Sequence, residues 1–384
     1  MATYKEIKGV TVQTRDSDPN LFAGSWSSGG NVNTAREEVA GNGIQTAALM
    51  IGGSLPGGKQ ALTESYDGSS WTETGDLNTA RSQLRSEGTY TAAIAFGGVT
   101  TAVSALNESF NGTSWTETSD LNTARRGLAS AGASNTAVLA ITGYTTTNVA
   151  NMESWDGSSW TETTDVNSAR RNLTGGGPNT SALIFGGYTT TYTNLTESWN
   201  GSAWTETGDM NTNRIYHGGD AASNTSAIVF AGSVPPVTAN TETWDGSTWT
   251  EQNNLASART GLGDAGNATT ALASSGNTPP FLTSTEEWSF PSSPILVEGM
   301  LFLSGGTTLK GFGKAASVPS TTWASGGTLN TSRGYMAGCG TQTAGSVFGG
   351  SPYNAPSKAE LHEQYDGSTW TETTDTSTGH SAGS

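Results

Sequence analysis

Seven glutamates and seven arginines are the side chains of this chain best suited to acid–base work, and they come in two series. Glu64, Glu108, Glu153, Glu197, Glu242, Glu286 and Glu363 each stand two residues before an aromatic: Tyr66, Phe110, Trp155, Trp199, Trp244, Trp288 and Tyr365. Arg36, Arg81, Arg125, Arg170, Arg214, Arg259 and Arg333 each lie ten residues after a tryptophan. A carboxylate beside a guanidinium can hold a proton or a substrate anion. A catalytic centre is built once, however, whereas these residues recur in every copy of a repeat. They are therefore expected to be scaffold, each arginine bonding to carbonyls or to a glutamate of its own or the neighbouring module. Metal-binding types are sparse: Cys339 is the sole cysteine, so neither an intrachain disulfide nor a thiolate cluster can form. His217, His362 and His380 fall at different phases of the repeat. No catalytic residue, metal site or cofactor is expected.

The elements that position these side chains follow from a third series. Trp26, Trp71, Trp115, Trp160, Trp204 and Trp249 follow one another at 45, 44, 45, 44 and 45 residues, and Trp323 and Trp370 stand 47 apart. Three series in one register mean an internal repeat, which takes precedence over any other reading of the fold. After each arginine comes a small-residue segment, then an apolar run such as ALMIGG, AIAFGG, LIFGG or AIVFAG. Such runs have the length and β-branched content of buried strands, and their closing glycines allow a tight turn. A variable loop then leads to stretches such as ESYDGSSW. There Asp67-Gly68, Asn111-Gly112, Asp156-Gly157, Asn200-Gly201, Asp245-Gly246 and Asp366-Gly367 stand between aromatic-bearing strands as hairpin turns. Each unit thus supplies four short antiparallel strands, a to d, which is the arithmetic of a propeller blade.

Composition narrows the classes of partner. The 384 residues carry a formal charge of −16, and Arg and Lys never cluster beyond pairs, so nucleic acid is not an expected partner. Lys5, Lys8, Lys59, Lys310, Lys314 and Lys358 avoid the repeats almost entirely, leaving a Thr, Ser, Asn and Gly surface of the kind common on extracellular fibres. Periodic tryptophans argue for a packed core against disorder. The opening MATYKEIKGV lacks the apolar segment of a signal peptide, and the best apolar run, ILVEGMLFL, is interrupted by Glu298 and Gly299. Neither a usual secretion signal nor membrane insertion is expected.

The units resemble kelch repeats, in which an apolar strand ends in a double glycine and is followed by a tyrosine and, a few residues on, a tryptophan. Gly97-Gly98, Phe110 and Trp115 match that pattern, as do Gly186-Gly187, Trp199 and Trp204. The likeness covers about 21 to 290 and again 320 to 373. Thr142-Gly143 and Ala231-Gly232 keep one glycine, and Ser275-Gly276 follows a weakened strand, ALASS. The resemblance implies an all-β, kelch-like propeller of four-stranded blades. It also brings in the copper oxidases of this architecture, whose site needs a tyrosine cross-linked to a cysteine plus further tyrosine and histidine ligands; the solitary Cys339 and the dispersed histidines do not fit. Ser65 to Trp71 resembles a sialidase Asp-box that is one residue short, and that box is structural.

Strand counting leaves two ring sizes. The a-b-c set occurs seven times and the d-strand tryptophan eight times. The sixth set ends EEWSFPSSP, with no tryptophan near 293 where the beat would put one, while Trp26 has no blade in front of it. The economical solution completes the sixth blade with the Trp26 strand and closes six blades over 21–290. The alternative makes 323–384 a seventh blade, although GSWSSGGNVNTAR and TTWASGGTLNTSR resemble each other as two beginnings. The expected organisation is a leader, 1–20, as an anchor; a propeller, 21–290; a linker, 291–322, with a hairpin in ILVEGMLFLSGGTTLKGFGKAA; and an added kelch-like repeat, 323–384.

That hairpin segment resembles short modules of bacteriophage tail-fibre and appendage proteins, and the leader resembles the start of kelch-like virion proteins of marine phages. The resemblance implies a non-enzymatic structural or adhesive protein of the virion, assembled in the host cytoplasm, with other virion proteins and a host cell-surface glycan or protein as partners and homo-oligomers allowed. Competing readings are a capsid decoration protein, an intracellular scaffold and an oxidase. Specificity is expected where the repeats disagree, in the b–c loops. Tyr144, Tyr188, Tyr192, Pro235, Pro236, Phe281 and Tyr353 are the candidate ligand contacts, through stacking on a sugar or packing on a protein; the alternative is that they are ordinary loop residues. The repeated tryptophans are expected to pack between blades.

Overall fold

The structure, a computed structural model, describes residues 23–291 and then 301–304, 308–311, 329–330, 333–334, 337–341, 343–348, 351–352 and 361–374. The leader 1–20 and Tyr353 lie outside the described residues. The chain divides into two units, Met1–Leu296 and Val297–Ser384. Among the described residues the regular structure is strand, and no helix is long and apolar enough to cross a membrane.

Among its described residues the first unit holds six four-stranded antiparallel sheets, I to VI in the order of their a strands Ala40–Ile44, Arg85–Thr89, Ala129–Ser134, Thr174–Gly176, Gly218–Ser223 and Gly263–Gly266, a repeated arrangement consistent with a propeller-like fold. Sheet III shows the pattern. Its strand a, Ala129–Ser134, pairs with b, Ala137–Ile141; b pairs with c, Met152–Trp155, and c with d, Trp160–Thr163. Strands b such as Ala92–Phe96 and Ser226–Phe230 are buried beyond their first residue because neighbouring sheets cover both faces. That is why they read as continuous apolar runs instead of alternating ones. The c–d turn is closed by its own side chain: Asp156 Oδ1 accepts from the Ser158 and Ser159 backbone N–H groups at 2.8 and 2.9 Å. Gly157 beside it takes a φ of +96°, out of reach for most residues. These bonds, above all the one from the N–H three residues on, hold the exposed Asp67, Asp156 and Asp245 carboxyls down to about 2.

Tryptophan joins adjacent sheets. Each d-strand indole lies on the aromatic ending its own strand c, as Phe110 on Trp115 at 4.9 Å and Trp155 on Trp160 at 5.3 Å. Its N–H points to the preceding sheet. Trp71 donates to Thr285 Oγ1 at 2.9 Å, Trp115 to Thr63 at 3.1 Å, Trp249 to Thr196 at 3.1 Å and Trp26 to Thr241 at 3.0 Å. In sheets II and III the threonine position holds Asn107 and Met152, and there the Trp160 and Trp204 indole N–H groups are left without a partner.

A buried bracket fixes each sheet from the inside. Arg36 meets Glu64 at 2.6 Å, Arg81 meets Glu108 at 2.8 Å, Arg125 meets Glu153 at 3.0 Å and Arg170 meets Glu197 at 2.5 Å; Arg214–Glu242 and Arg259–Glu286 complete the series. All of these side chains are buried. The asparagine three residues before the arginine, which sequence reasoning did not single out, completes the bracket. Asn33 donates its backbone N–H and its Nδ2 to Glu64 Oε2 at 2.7 and 2.9 Å, and Nδ2 also reaches the Trp71 carbonyl at 3.0 Å. Asn78, Asn122, Asn167 and Asn211 repeat this, and in the sixth copy Ala256 supplies only its backbone N–H.

The sheets close on one another. Strand Ser25–Ser28 pairs with Thr285–Ser289, placing Trp26 opposite Trp288, so the Trp26 strand is strand d of sheet VI. The six a strands, Ala40–Ile44, Arg85–Thr89, Ala129–Ser134, Thr174–Gly176, Gly218–Ser223 and Gly263–Gly266, touch in that order, and the last touches the first. Beside them runs a ring of backbone bonds. Gln83 N–H donates to the Glu38 carbonyl, Gly127 to Gln83, Asn172 to Gly127, Tyr216 to Asn172, Gly261 to Tyr216 and Glu38 to Gly261, all at 2.7–3.1 Å. Each of the six lies two residues past a repeat arginine and has φ between 51 and 63°. Glu38, Gln83, Asn172 and Tyr216 accept a conformation that costs about 1–2 kcal/mol each, and each gains the hydrogen bond that closes the ring.

The double-glycine position shows the same dominance of tertiary contact. A Cβ on Gly52 would lie 2.6 Å from the Arg81 carbonyl oxygen of the next sheet. Where glycine is missing, Thr142, Ala231 and Ser275 still adopt φ of 57, 62 and 58°. Ser275 compensates: its Oγ accepts from Arg36 N–H at 2.8 Å and donates to the Arg36 carbonyl at 2.7 Å.

The second unit contains the hairpin Leu301–Ser304 with Thr308–Gly311 and one further four-stranded sheet, Ala337–Thr341, Ala344–Phe348, His362–Tyr365 and Trp370–Glu372. The asparagine bonds recur there: Asn330 N–H donates to Glu363 at 2.7 Å and Asn330 Nδ2 to the Trp370 carbonyl at 2.9 Å.

Candidate functional site

Strand geometry places the residue after each repeat arginine against the start of a b–c loop. Isolated bridges join Glu37 to Ser54, Ser82 to Val99, Arg126 to Tyr144, Arg171 to Tyr188, Ile215 to Ser233 and Thr260 to Asn277. The position is scaffold in its backbone and free in its side chain. Only in sheets III and IV does it hold arginine opposite tyrosine.

There the side chains converge. The Arg126 guanidinium lies 5.2 Å and the Arg171 guanidinium 4.6 Å from the centre of the Tyr144 ring, and Arg171 is also 4.6 Å from that of Tyr188. Tyr192 stands edge-on to Tyr188 at 5.9 Å. Arg126 donates to Gln83 Oε1 and Arg171 to Asn148 Oδ1, both at 2.9 Å, while Asn148 Nδ2 holds the Tyr188 and Thr189 carbonyls at 3.0 and 2.7 Å. An open cavity of about 340 Å³ is lined by Arg126, Arg171, Asn172, Tyr188, Tyr192, Ile215 and Tyr216. Burial pushes the Tyr216 phenol up and Glu38 adds to this, while Arg126 and Arg171 oppose it.

Of the residues expected to touch a ligand, Tyr144, Tyr188 and Tyr192 are thus brought together. Pro235 and Pro236, exposed in the b–c loop of sheet V, and Phe281 in that of sheet VI do not line this cavity. Tyr353 lies outside the described residues. Sequence reasoning missed Arg126, Arg171, Asn172 and Tyr216. The one available signal was the doubled arginine, Arg125-Arg126 and Arg170-Arg171, present in just two copies.

A second cavity, of about 200 Å³, runs between the a strands. Arg85, Glu87, Asp220 and Asp264 line it, none of them a repeat residue. Arg85 spans several sheets: it donates to the Leu128 carbonyl at 3.0 Å, the Leu173 carbonyl at 2.5 Å and Thr174 Oγ1 at 3.0 Å, with Asp264 3.8 Å away. Asp264 also accepts the Gly219 N–H at 2.9 Å. Burial pushes the Glu87 carboxyl up to about 8, against Ser130 and Arg85 and with Asp264 adding. Burial likewise raises Asp220, where Glu87 contributes, and Asp264. Nearby, His217 stands where four of the other sheets have leucine and one has Val39; it is buried and stacked on Phe185 at 5.7 Å, and burial draws its pKa well down. Among the described residues no group of three or more His, Cys, Asp or Glu is arranged to hold a metal ion.

These carboxyls bind protons more tightly folded than unfolded, so their stabilisation is complete below the unfolded value and is lost as pH rises through the folded one. The urea midpoint is therefore expected to fall between pH 4.5 and 8, the two ends of the Glu87 shift. Glu87→Gln should flatten that fall, and an unchanged slope would remove Glu87 from the account.

Comparison with protein-family profiles and with characterised proteins gave no match.

Proposed function

We propose that the first unit is a kelch-like β-propeller of six blades, followed by a further blade-like repeat, and that it serves as a non-enzymatic binding platform. The supporting observation is the cluster of Arg126, Arg171, Tyr144, Tyr188, Tyr192 and Tyr216 on the b–c loop face. It breaks the pseudo-symmetry of a scaffold whose Arg–Glu brackets and stacked tryptophans recur in each sheet. A closed ring of backbone bonds beneath it supplies the rigidity that a binding surface needs, since a pre-ordered site loses little entropy on binding. The setting we propose is a bacteriophage particle, on a tail fibre or appendage, where the loop face meets a host glycan or protein. That setting rests on the resemblance of the leader and of residues 295–316 to phage appendage proteins. The second reading is a capsid decoration protein, which needs no free loop face.

An electron-microscopy map of the particle distinguishes them. The expected result is a disc on the tail with Tyr188 and Tyr192 facing outward, and purified chain that blocks attachment of particles to host cells. A disc flat on the capsid, its loop face covered by neighbours, together with no block of attachment, would replace adhesion by decoration.

A further inference from the structure

We infer that the loop-face cavity takes an acidic saccharide, with the carboxylate or sulfate of the sugar held by Arg126 and Arg171; this deepens the binding-platform reading and rests on it. The charge pattern carries the argument. Among the described residues, Arg36, Arg81, Arg85, Arg125, Arg170, Arg214 and Arg259 all stand within ion-pair distance of a carboxylate. Arg126 and Arg171 do not. In a chain of formal charge −16 they are placed beside each other, on one tyrosine ring, with side-chain amide oxygens as partners instead of acids. Two like charges repel, and an anion between them removes that cost.

The geometry suits anion capture. A guanidinium lying near an aromatic ring is held in place while its N–H edge stays available, and that edge matches a carboxylate or sulfate with two parallel bonds. Gln83 and Asn148 each occupy one nitrogen, Nη1, and leave the remaining N–H donors for a ligand. Beside Asn172 and Ile215, the other walls are the phenols of Tyr188, Tyr192 and Tyr216, which offer ring faces and hydroxyls to a sugar. A volume of about 340 Å³ lies at the lower end of small-ligand sites and fits a sugar or two better than a folded partner's surface. The chain's formal charge of −16 disfavours anions in general, and the two adjacent guanidiniums stand against that background.

The test is calorimetric titration of the full chain with four probes of similar length: a galacturonate oligomer, a sulfated galactose oligomer, a neutral galactose oligomer and hexa-aspartate. One or both acidic saccharides should bind, and which of them binds identifies the anionic group. Arg171→Gln and Arg126→Gln should each weaken that binding about tenfold or more, as expected for a hydrogen bond to a charged group, with unchanged melting temperature because neither side chain is in the buried bracket. Equal binding of the neutral oligomer, or affinity unmoved by both substitutions, would overturn the anion assignment while leaving the platform standing. Hexa-aspartate binding as tightly as the sugars would overturn the saccharide assignment. No binding of any probe, together with particles whose attachment the purified chain does not block, would overturn both readings.

Discussion

Arg36→Ala is expected to cost the fold about 3–5 kcal/mol, the range for removing one partner of a buried ion pair. Arg36 is fully buried and its guanidinium serves several acceptors at once: Nε donates to the Gly52 carbonyl at 2.8 Å, Nη1 to Glu64 at 2.6 Å and to the Thr34 carbonyl at 3.0 Å, and Nη2 to the Met50 carbonyl at 3.2 Å. Truncation leaves Glu64 charged and buried with only the Asn33 and Thr34 donors, and takes a donor from the Gly52, Thr34 and Met50 carbonyls. Arg36→Lys should restore little, because an ammonium cannot reproduce the planar fork. Arg170→Ala should cost less, since the Arg170 Nε and Nη2 atoms have no partner to lose and Glu197 is the guanidinium's bonded neighbour. Urea denaturation of the three variants checks this. Equal midpoints for Arg36→Ala and the parent would mean that the bracket contributes nothing to stability.

The second large effect lies at the seam. Trp26 is the first chain segment's hold on the last sheet: its ring lies 4.9 Å from Phe230 and 5.3 Å from Trp288, and its indole N–H reaches Thr241 of sheet V. Asn253 Nδ2 donates to the Gly24 carbonyl at 2.8 Å, so the strand is tied to sheet V as well as to its partner Thr285–Ser289. Trp26→Ala is expected to cost about 3 kcal/mol, the low end for tryptophan truncation because the ring is half-buried. Deleting residues 1–30 goes further, exposing an open sheet edge and the Trp288 face. Hydrogen exchange should then accelerate in Thr270–Ser274 and Thr285–Ser289 before it does in Met152–Trp155 on the far side of the ring. Uniform acceleration would mean that the unit unfolds as a whole without a weak seam.

Much of the frame was legible in the amino-acid sequence because its determinants are local. A strand b must be apolar to lie between two sheets, an Asp-Gly or Asn-Gly pair must close the c–d turn, and a tryptophan must follow that turn to lie on the aromatic before it. All three repeat within one unit, so periodicity exposes them. The absence of a strand-d tryptophan near 293 and the surplus Trp26 even told which strand completes the sixth sheet. The Arg and Glu series was readable as scaffold for the same reason, although the asparagine that completes the bracket was overlooked.

What stayed illegible arises only when copies meet. The ring through Glu38, Gln83, Gly127, Asn172, Tyr216 and Gly261 shares no residue type, because backbone groups make its bonds and the closed geometry imposes the left-handed φ. Thr142 and Ala231 take a glycine's conformation where the following residue bonds to the next sheet, Gly143 N–H to the Arg170 carbonyl at 3.1 Å and Gly232 N–H to that of Arg259 at 2.8 Å. Arg126 with Tyr188, and Arg85 with Asp264, are far apart in the chain and become neighbours through sheet-to-sheet packing. The sequence by itself determined the repeating unit, since strand pairing, turns and in-sheet stacking are short-range and written into every copy. Only the tertiary structure decided where the unrepeated charges and tyrosines meet, because that depends on the order and closure of whole sheets around one axis.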